Sequence, residues 1–137
     1  MKRINIPDNI RILVAHRANF RCEYCKISQE DHFLAFHIDH VIALKHGGKN
    51  DIINLAWACA DCNQNKGTDL ATFIESDDDL IPLFNPRKQV WTEHFRIETC
   101  EIIPLTKIGK ATVKLLQLNN PDILIFRQLL FQTGRYV

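Results

Sequence analysis

The sequence is poor in the features that carry a chain into or across a membrane. No apolar stretch among its 137 residues approaches the roughly 20 residues that a membrane-spanning helix needs. The start, Met1 to Asn5, is charged, but no apolar run follows it, so the sequence gives no sign of a secretory signal peptide. Repeats, low-complexity stretches and obvious linkers are also lacking. We therefore expect one compact cytoplasmic domain over residues 1–137, without a membrane partner.

An excess of charge of one sign is lacking as well. The net charge is only +1, which neither requires nor excludes a nucleic-acid partner. The charges are unevenly distributed, however: residues 1–84 carry 9 basic and 12 acidic side chains, and residues 85–137 carry 8 basic and 4 acidic ones. A polyanion would therefore find its counter-charges mainly in the C-terminal part, with scattered Arg and Lys elsewhere.

Cysteine is scarce, yet four of the five cysteines form two pairs, Cys22-x-x-Cys25 and Cys59-x-x-Cys62. Two such pairs supply the four soft ligands of a closed, structural zinc site. Disulfides and buried free thiols are the alternatives, and a cytosolic chain disfavours disulfides. The 33 residues between the pairs exceed the usual spacing of roughly 15–20, so a hairpin-sized insert is expected there. Cys100 is interpreted as a small core residue.

Hydrophobic periodicity and turn residues predict a mixture of helices and short strands, an α+β fold. Adjacent glycines, Gly47-Gly48, indicate a loop between the first two strands. The predicted helices cover residues 8–18, 61–73, 108–118 and 122–131, and the predicted strands cover residues 33–44, 52–58 and 95–103.

Four short motifs occur in a diagnostic order along the chain. They are Asp39-His40-Val41-Ile42, His46-Gly47-Gly48, Asn54-Leu55 and Cys59-x-x-Cys62-Asn63-x-x-Lys66-Gly67. This order resembles the zinc-knuckle branch of the HNH endonucleases, as a variant with Asn in place of the third motif letter. The resemblance implies a ββα-metal core over residues 22–73, stapled by the four-cysteine zinc site. An N-terminal helix (8–18) and a C-terminal extension of strands and helices (84–137) would flank that core.

The resemblance also implies roles for four residues. His40 would be the general base that activates water, because a neutral imidazole with a pKa of roughly 6.5 suits that task. Asp39 and Asn63 would supply hard oxygen ligands for a catalytic Mg²⁺ or Mn²⁺. Asn54 would tie the hairpin loop across and orient the base. Two metal sites of different character are therefore expected.

Five further residues are candidates for phosphate or DNA contacts: His37, His46, Lys66, Arg87 and Arg96. Each also has a structural alternative. His37 could be a hydrogen-bonded structural histidine and His46 could shape the loop. Lys66 could be a solvated helix residue, and the two arginines could pair within the fold.

The main hypothesis is thus a metal-dependent endonuclease that hydrolyses DNA phosphodiester bonds. The alternative is a non-catalytic, zinc-dependent module that binds nucleic acid; such a module has no need of Asp39-His40 opposite Asn63. A redox dithiol protein is disfavoured, because no thioredoxin-like pattern surrounds either cysteine pair. Sequence specificity and the choice between monomer and homodimer stay open.

Overall fold

A computed structural model describes residues 6–75 and 79–136. Within these ranges the predicted α+β class is confirmed, with helices and three small antiparallel strand pairs. The helices are α1 (Asp8–Arg17), α2 (Ala60–Lys66), α3 (Trp91–His94), α4 (Lys107–Leu116) and α5 (Pro121–Gln132). The strands are β1 (His37–His40), β2 (Leu55–Ala58), β3 (Ala71–Thr72), β4 (Ile81–Pro82), β5 (Phe95–Glu98) and β6 (Glu101–Pro104).

The unit that positions the site is the β1–β2 hairpin with α2. The two strands pair antiparallel with His37 opposite Ala58 and His40 opposite Leu55. All four residues of β2 are buried, as expected for a strand covered on both faces. Because α2 starts only two residues after β2, the second cysteine pair lies at the helix N-terminus and α2 packs on β1.

Several elements are shorter than the periodicity predicts. The strand expected over 33–44 is only β1, and the first three residues of the strand expected over 52–58 form a 3₁₀ turn, Ile52–Asn54. The helix expected over 61–73 ends at Lys66, because Gly67 takes φ 54° and ψ −128°, a conformation that side-chain-bearing residues avoid. Ala71 and Thr72 instead form β3 and pair with β4.

One hydrophobic core joins the N-terminal helix, the hairpin and the C-terminal elements. It includes Val14 of α1, Trp57 of β2, Phe95 of β5 and Leu116 of α4. α4 packs against both α2 and β6. The C-terminal segment therefore packs directly on α2, the helix of the unit that positions the site. Across the two described ranges, none of the helices is both long and apolar enough to cross a membrane.

Candidate metal centres and cleft

The four paired cysteines converge in the fold. Their Sγ atoms lie within 4.8 Å of one another, and all four side chains are buried. The Sγ atoms of Cys25 and Cys59 are 3.7 Å apart. A tetrahedral ion with metal–sulfur bonds of about 2.3 Å places its sulfurs about 3.8 Å apart, whereas a disulfide needs about 2.05 Å. The cluster therefore could hold a structural metal ion, and zinc fits this donor set.

Backbone N–H groups donate hydrogen bonds to two of the four sulfur atoms. The backbone N–H groups of Tyr24 and Cys25 donate to Cys22 Sγ, each at 3.4 Å. The N–H of Cys62 donates to Cys59 Sγ at the same distance. Hydrogen bonds with Cys22 and Cys25 raise the pKa of Cys59. A divalent cation would favour the thiolate form of these cysteines, which supports the fit.

Three of the four residues to which the resemblance assigns roles line one open cleft; Asn54 does not. Asp39 and His40 at the end of β1, Asn63 on α2 and the exposed Lys45 contribute to its wall, and its volume is about 370 Å³. The hairpin-and-helix topology brings these residues together although Asn63 is 23 positions after His40. Asp39 and Asn63 present carboxylate and amide oxygens, the donor types that Mg²⁺ and Mn²⁺ prefer.

His40 has a partner that the motif does not include. Its Nε2 lies 2.9 Å from Oδ1 of Asn50 in the loop between the strands. Because an amide oxygen only accepts, this contact puts the ring proton on Nε2 and leaves the lone pair on Nδ1. The geometry therefore leaves Nδ1 as the basic nitrogen of His40.

Asn54 ties the loop between β1 and β2 across its base. Its amide nitrogen donates to the carbonyl oxygens of Ile42 at 2.9 Å and Lys49 at 2.8 Å. Its Oδ1 accepts from the N–H of Ile42 at 2.9 Å. Gly48 lies in the same turn, where an added Cβ would be only 1.7 Å from the Ile42 carbonyl oxygen. The loop thus depends on one amide bridge and one position without a side chain.

Asp39 is more enclosed than a ligand on an open wall would be. Only 3% of the residue is exposed. Its Oδ2 accepts from the Tyr24 hydroxyl at 2.6 Å, and its Oδ1 accepts from Lys66 Nζ at 3.2 Å. Burial raises the pKa of Asp39, although Lys66 and Tyr24 oppose that shift. An ionised carboxylate has about four lone-pair sites, so these two bonds leave Asp39 with acceptor capacity.

Lys66 requires a correction. Both sequence interpretations, a phosphate contact and a solvated helix residue, need an accessible ammonium, but Lys66 is 2% exposed. Besides Asp39, its Nζ donates to the carbonyl oxygens of His40 at 3.2 Å and Val41 at 3.1 Å. An ammonium has three donors, and all three are used inside the fold. Lys66 therefore stabilises the hairpin from inside the fold.

The other four candidate contacts are dispersed. His37 and His46 are exposed, and the residues lining the cleft do not include them. Arg87 is turned inward and pairs with Glu23, so its charge is largely used within the fold, as the alternative interpretation expected. Arg96 is exposed and lies 3.2 Å from Glu98 on the same strand.

One segment of the chain matches a known protein family. Residues 22–69 match the family model of the HNH endonucleases. The predicted family resemblance is confirmed. We call residues 22–69 the HNH segment; it contains both cysteine pairs, both strands of the hairpin and α2.

A longer alignment extends beyond the HNH segment. The Septu protein PtuB of Bacillus thuringiensis is 25% identical over 127 residues, which cover 90% of this chain. They cover 46% of the length of PtuB, so this chain spans about half of that relative. No solved structure matches the chain significantly. An HNH segment indicates a nuclease-type function related to nucleic acid.

Three contacts within the HNH segment were not predicted from the sequence; they involve Tyr24, Asn50 and the buried side chain of Lys66. Tyr24 and Lys66 both bond Asp39, and Asn50 bonds His40. Their positions in the motif carry no signal for these contacts, because each depends on how separate segments pack. The one hint is that Tyr24 is the polar aromatic residue inside the first cysteine pair.

Proposed function

We propose that this protein is a metal-dependent endonuclease that hydrolyses DNA phosphodiester bonds. The observation that supports this most directly is the cleft, where Asp39, His40 and Asn63 meet within the HNH segment. A module that only binds nucleic acid would have no use for a base beside two hard ligands. A nuclease needs a base for water, a cation for developing charge and a fixed line of attack.

His40 is the proposed general base. Its Nδ1 takes a proton from the attacking water, while Nε2–H stays bonded to Asn50 Oδ1. Asn54 keeps the loop that carries Asn50 in place, through its bonds to Ile42 and Lys49. Asn50 and Asn54 are therefore positioning residues that act through His40.

Asp39 and Asn63 are the proposed ligands of a catalytic Mg²⁺ or Mn²⁺. Such a cation, when bound, neutralises negative charge on the phosphate and its leaving oxygen. Asp39 contributes an anionic oxygen whose orientation is set by Tyr24 and Lys66. Asn63 contributes a neutral oxygen from α2. Water and substrate phosphate would complete the coordination.

The cluster of four cysteines is proposed to hold a structural Zn²⁺. Four thiolates close the coordination sphere, so the ion stabilises the fold and leaves no position for substrate. The cluster joins the segment before the hairpin to the N-terminus of α2. Zinc is thus expected to hold the cleft walls together without taking part in the reaction.

Cleavage of supercoiled plasmid DNA tests the proposal. We expect nicked or linear products with Mg²⁺ or Mn²⁺, none with EDTA, and far less product from His40→Ala carrying the same zinc content. His16→Ala is the matched control, because His16 is exposed on α1 and lies outside the HNH segment. DNA binding without cleavage, under all cation conditions, would instead support the zinc-dependent binding module.

The ligand assignment needs its own measurement. Asn63→Ala should raise the Mn²⁺ concentration that gives half-maximal cleavage about tenfold or more, because one of two protein oxygens is lost. Zinc content and thermal stability should stay near wild type. Asn65→Ala, two residues further along α2, is the control; it should leave the Mn²⁺ requirement unchanged. An unchanged requirement in Asn63→Ala would place the cation elsewhere.

A further inference from the structure

Each of the two cysteine pairs is connected to one oxygen of Asp39. Tyr24 lies between Cys22 and Cys25, and its hydroxyl donates to Asp39 Oδ2 at 2.6 Å. Lys66 lies on the helix that starts at the second pair, and its Nζ donates to Asp39 Oδ1 at 3.2 Å. The carboxylate is therefore held on one oxygen by a residue inside the first cysteine pair, and on the other by the last residue of the helix that starts at the second pair.

Tyr24 is held more firmly than its place in a loop would suggest. Only 1% of the residue is exposed. Its N–H donates to Cys22 Sγ at 3.4 Å, and its carbonyl oxygen accepts from Trp91 Nε1 at 3.0 Å. A tyrosine ring has two side-chain torsions, so fixing the backbone and burying the ring leaves its hydroxyl one position. That hydroxyl is an anchored donor for Asp39.

We propose that Tyr24 is a positioning residue for the cation site, and that through it the four-cysteine cluster sets the orientation of the Asp39 carboxylate in the cleft. The inference rests on the proposed function, in which Asp39 is a ligand of Mg²⁺ or Mn²⁺. It goes beyond that function because the structural metal would also help to orient a ligand of the catalytic cation. Loss of the structural metal would release Tyr24 and weaken the cation site.

Lys66 and Tyr24 have different effects on Asp39. The ammonium balances the charge of the carboxylate and would compete with a bound cation. The neutral phenol orients the carboxylate without adding positive charge. Removing the phenol hydroxyl should therefore loosen Asp39 and weaken cation binding, because the orientation of a metal ligand depends on the hydrogen bonds behind it.

Tyr24→Phe tests the inference, and Tyr136→Phe is its matched control. Each variant removes one buried hydroxyl; Tyr136 donates to the Cys25 carbonyl oxygen at 2.7 Å, beside the same cysteine pair but away from Asp39. Both variants should keep full zinc content and lose similar thermal stability. Tyr24→Phe should weaken Mn²⁺ binding about tenfold, measured by calorimetry without substrate, and lower kcat more than it changes KM for DNA. The Mn²⁺ affinity and the kcat of Tyr136→Phe should both stay within about twofold of wild type.

The outcomes separate this inference from the proposed function. Equal Mn²⁺ affinity in Tyr24→Phe and Tyr136→Phe, with wild-type cleavage intact, overturns the role of Tyr24 alone. A wild-type protein that binds no Mn²⁺ and cuts no DNA overturns the proposed function and this inference together.

A spectroscopic measurement covers the case in which Tyr24→Phe does not fold. The chain has only two tyrosines, so fluorotyrosine labelling of wild-type protein yields two ¹⁹F resonances, assigned with the Tyr136→Phe variant. Bound Mn²⁺ should broaden the Tyr24 resonance well before that of Tyr136, because Tyr24 contacts the proposed ligand. Equal broadening would contradict a cation held by Asp39 beside Tyr24.

Discussion

Lys66 Nζ lies 3.2 Å from Asp39 Oδ1, and each residue is at most 3% exposed. A buried ion pair of this kind rarely adds much net stability, because both charges lose their hydration. Breaking it from one side is costly, however, since the remaining buried charge keeps no counter-charge. Lys66 also joins the carbonyls of His40 and Val41, so the pair ties α2 to the strand that carries the proposed base.

Lys66→Met is expected to destabilise the fold by about 3–5 kcal/mol, because it leaves the Asp39 carboxylate buried without its counter-charge. The double variant Lys66→Met/Asp39→Asn should recover part of that loss, since no unpaired charge remains. Urea unfolding at neutral pH measures both. If the double variant is as unstable as the sum of the two single variants, the pair is not coupled and the prediction is wrong.

Cys22→Ser and Cys62→Ser should each lose the structural zinc and unfold at a much lower temperature, because binding of the metal contributes directly to folding. Cys100→Ser is the control. Cys100 is only partly buried and lies outside the cluster, with its Sγ donating to Gln128. Elemental analysis and thermal melts check the prediction. A wild-type protein that is folded and stable but contains no metal would contradict it.

His40→Ala should lower the cleavage rate by roughly 10²–10⁴-fold, the usual contribution of a general base, while zinc content and melting temperature stay near wild type. Asn50→Ala should lower kcat about tenfold, because His40 keeps Nδ1 as the base but loses the contact that holds the proton on Nε2. Single-turnover cleavage assays measure both. Rates within a few-fold of wild type for purified His40→Ala would refute the assignment of the base.

Gly48→Ala should abolish most activity and destabilise the loop, because its Cβ would be 1.7 Å from the Ile42 carbonyl oxygen and 2.9 Å from Asn54 Nδ2. Gly47→Ala is the matched control. A Cβ there meets open space, and only its φ of +88° is strained, which costs roughly 1–2 kcal/mol. Comparison of cleavage rates and melting temperatures separates the clash from the strain. Equal effects of the two substitutions would show that the close approach at Gly48 is not what matters.

The C-terminal part illustrates what periodicity can and cannot predict. The amphipathic pattern of α4, the largely apolar sequence of α5 and the alternation of β5–β6 are local properties, and the observed elements lie within a few residues of the predicted ones. The helix predicted over 61–73 ends early because one residue, Gly67, leaves helical geometry. Arg87 was a candidate contact for a polyanion, but the fold pairs it with Glu23, a partner 64 positions away.

The sequence by itself determined the family resemblance, the α+β class and the four metal-type cysteines. These follow from residue types at short, fixed spacings, which the chain imposes before it folds. Only the tertiary structure decided that Lys66 is buried, that Tyr24 bonds Asp39, and that Asn50 bonds His40. The segments that these contacts join are up to 27 positions apart in the chain. The two contacts on Asp39 form because a buried carboxylate requires hydrogen-bond donors.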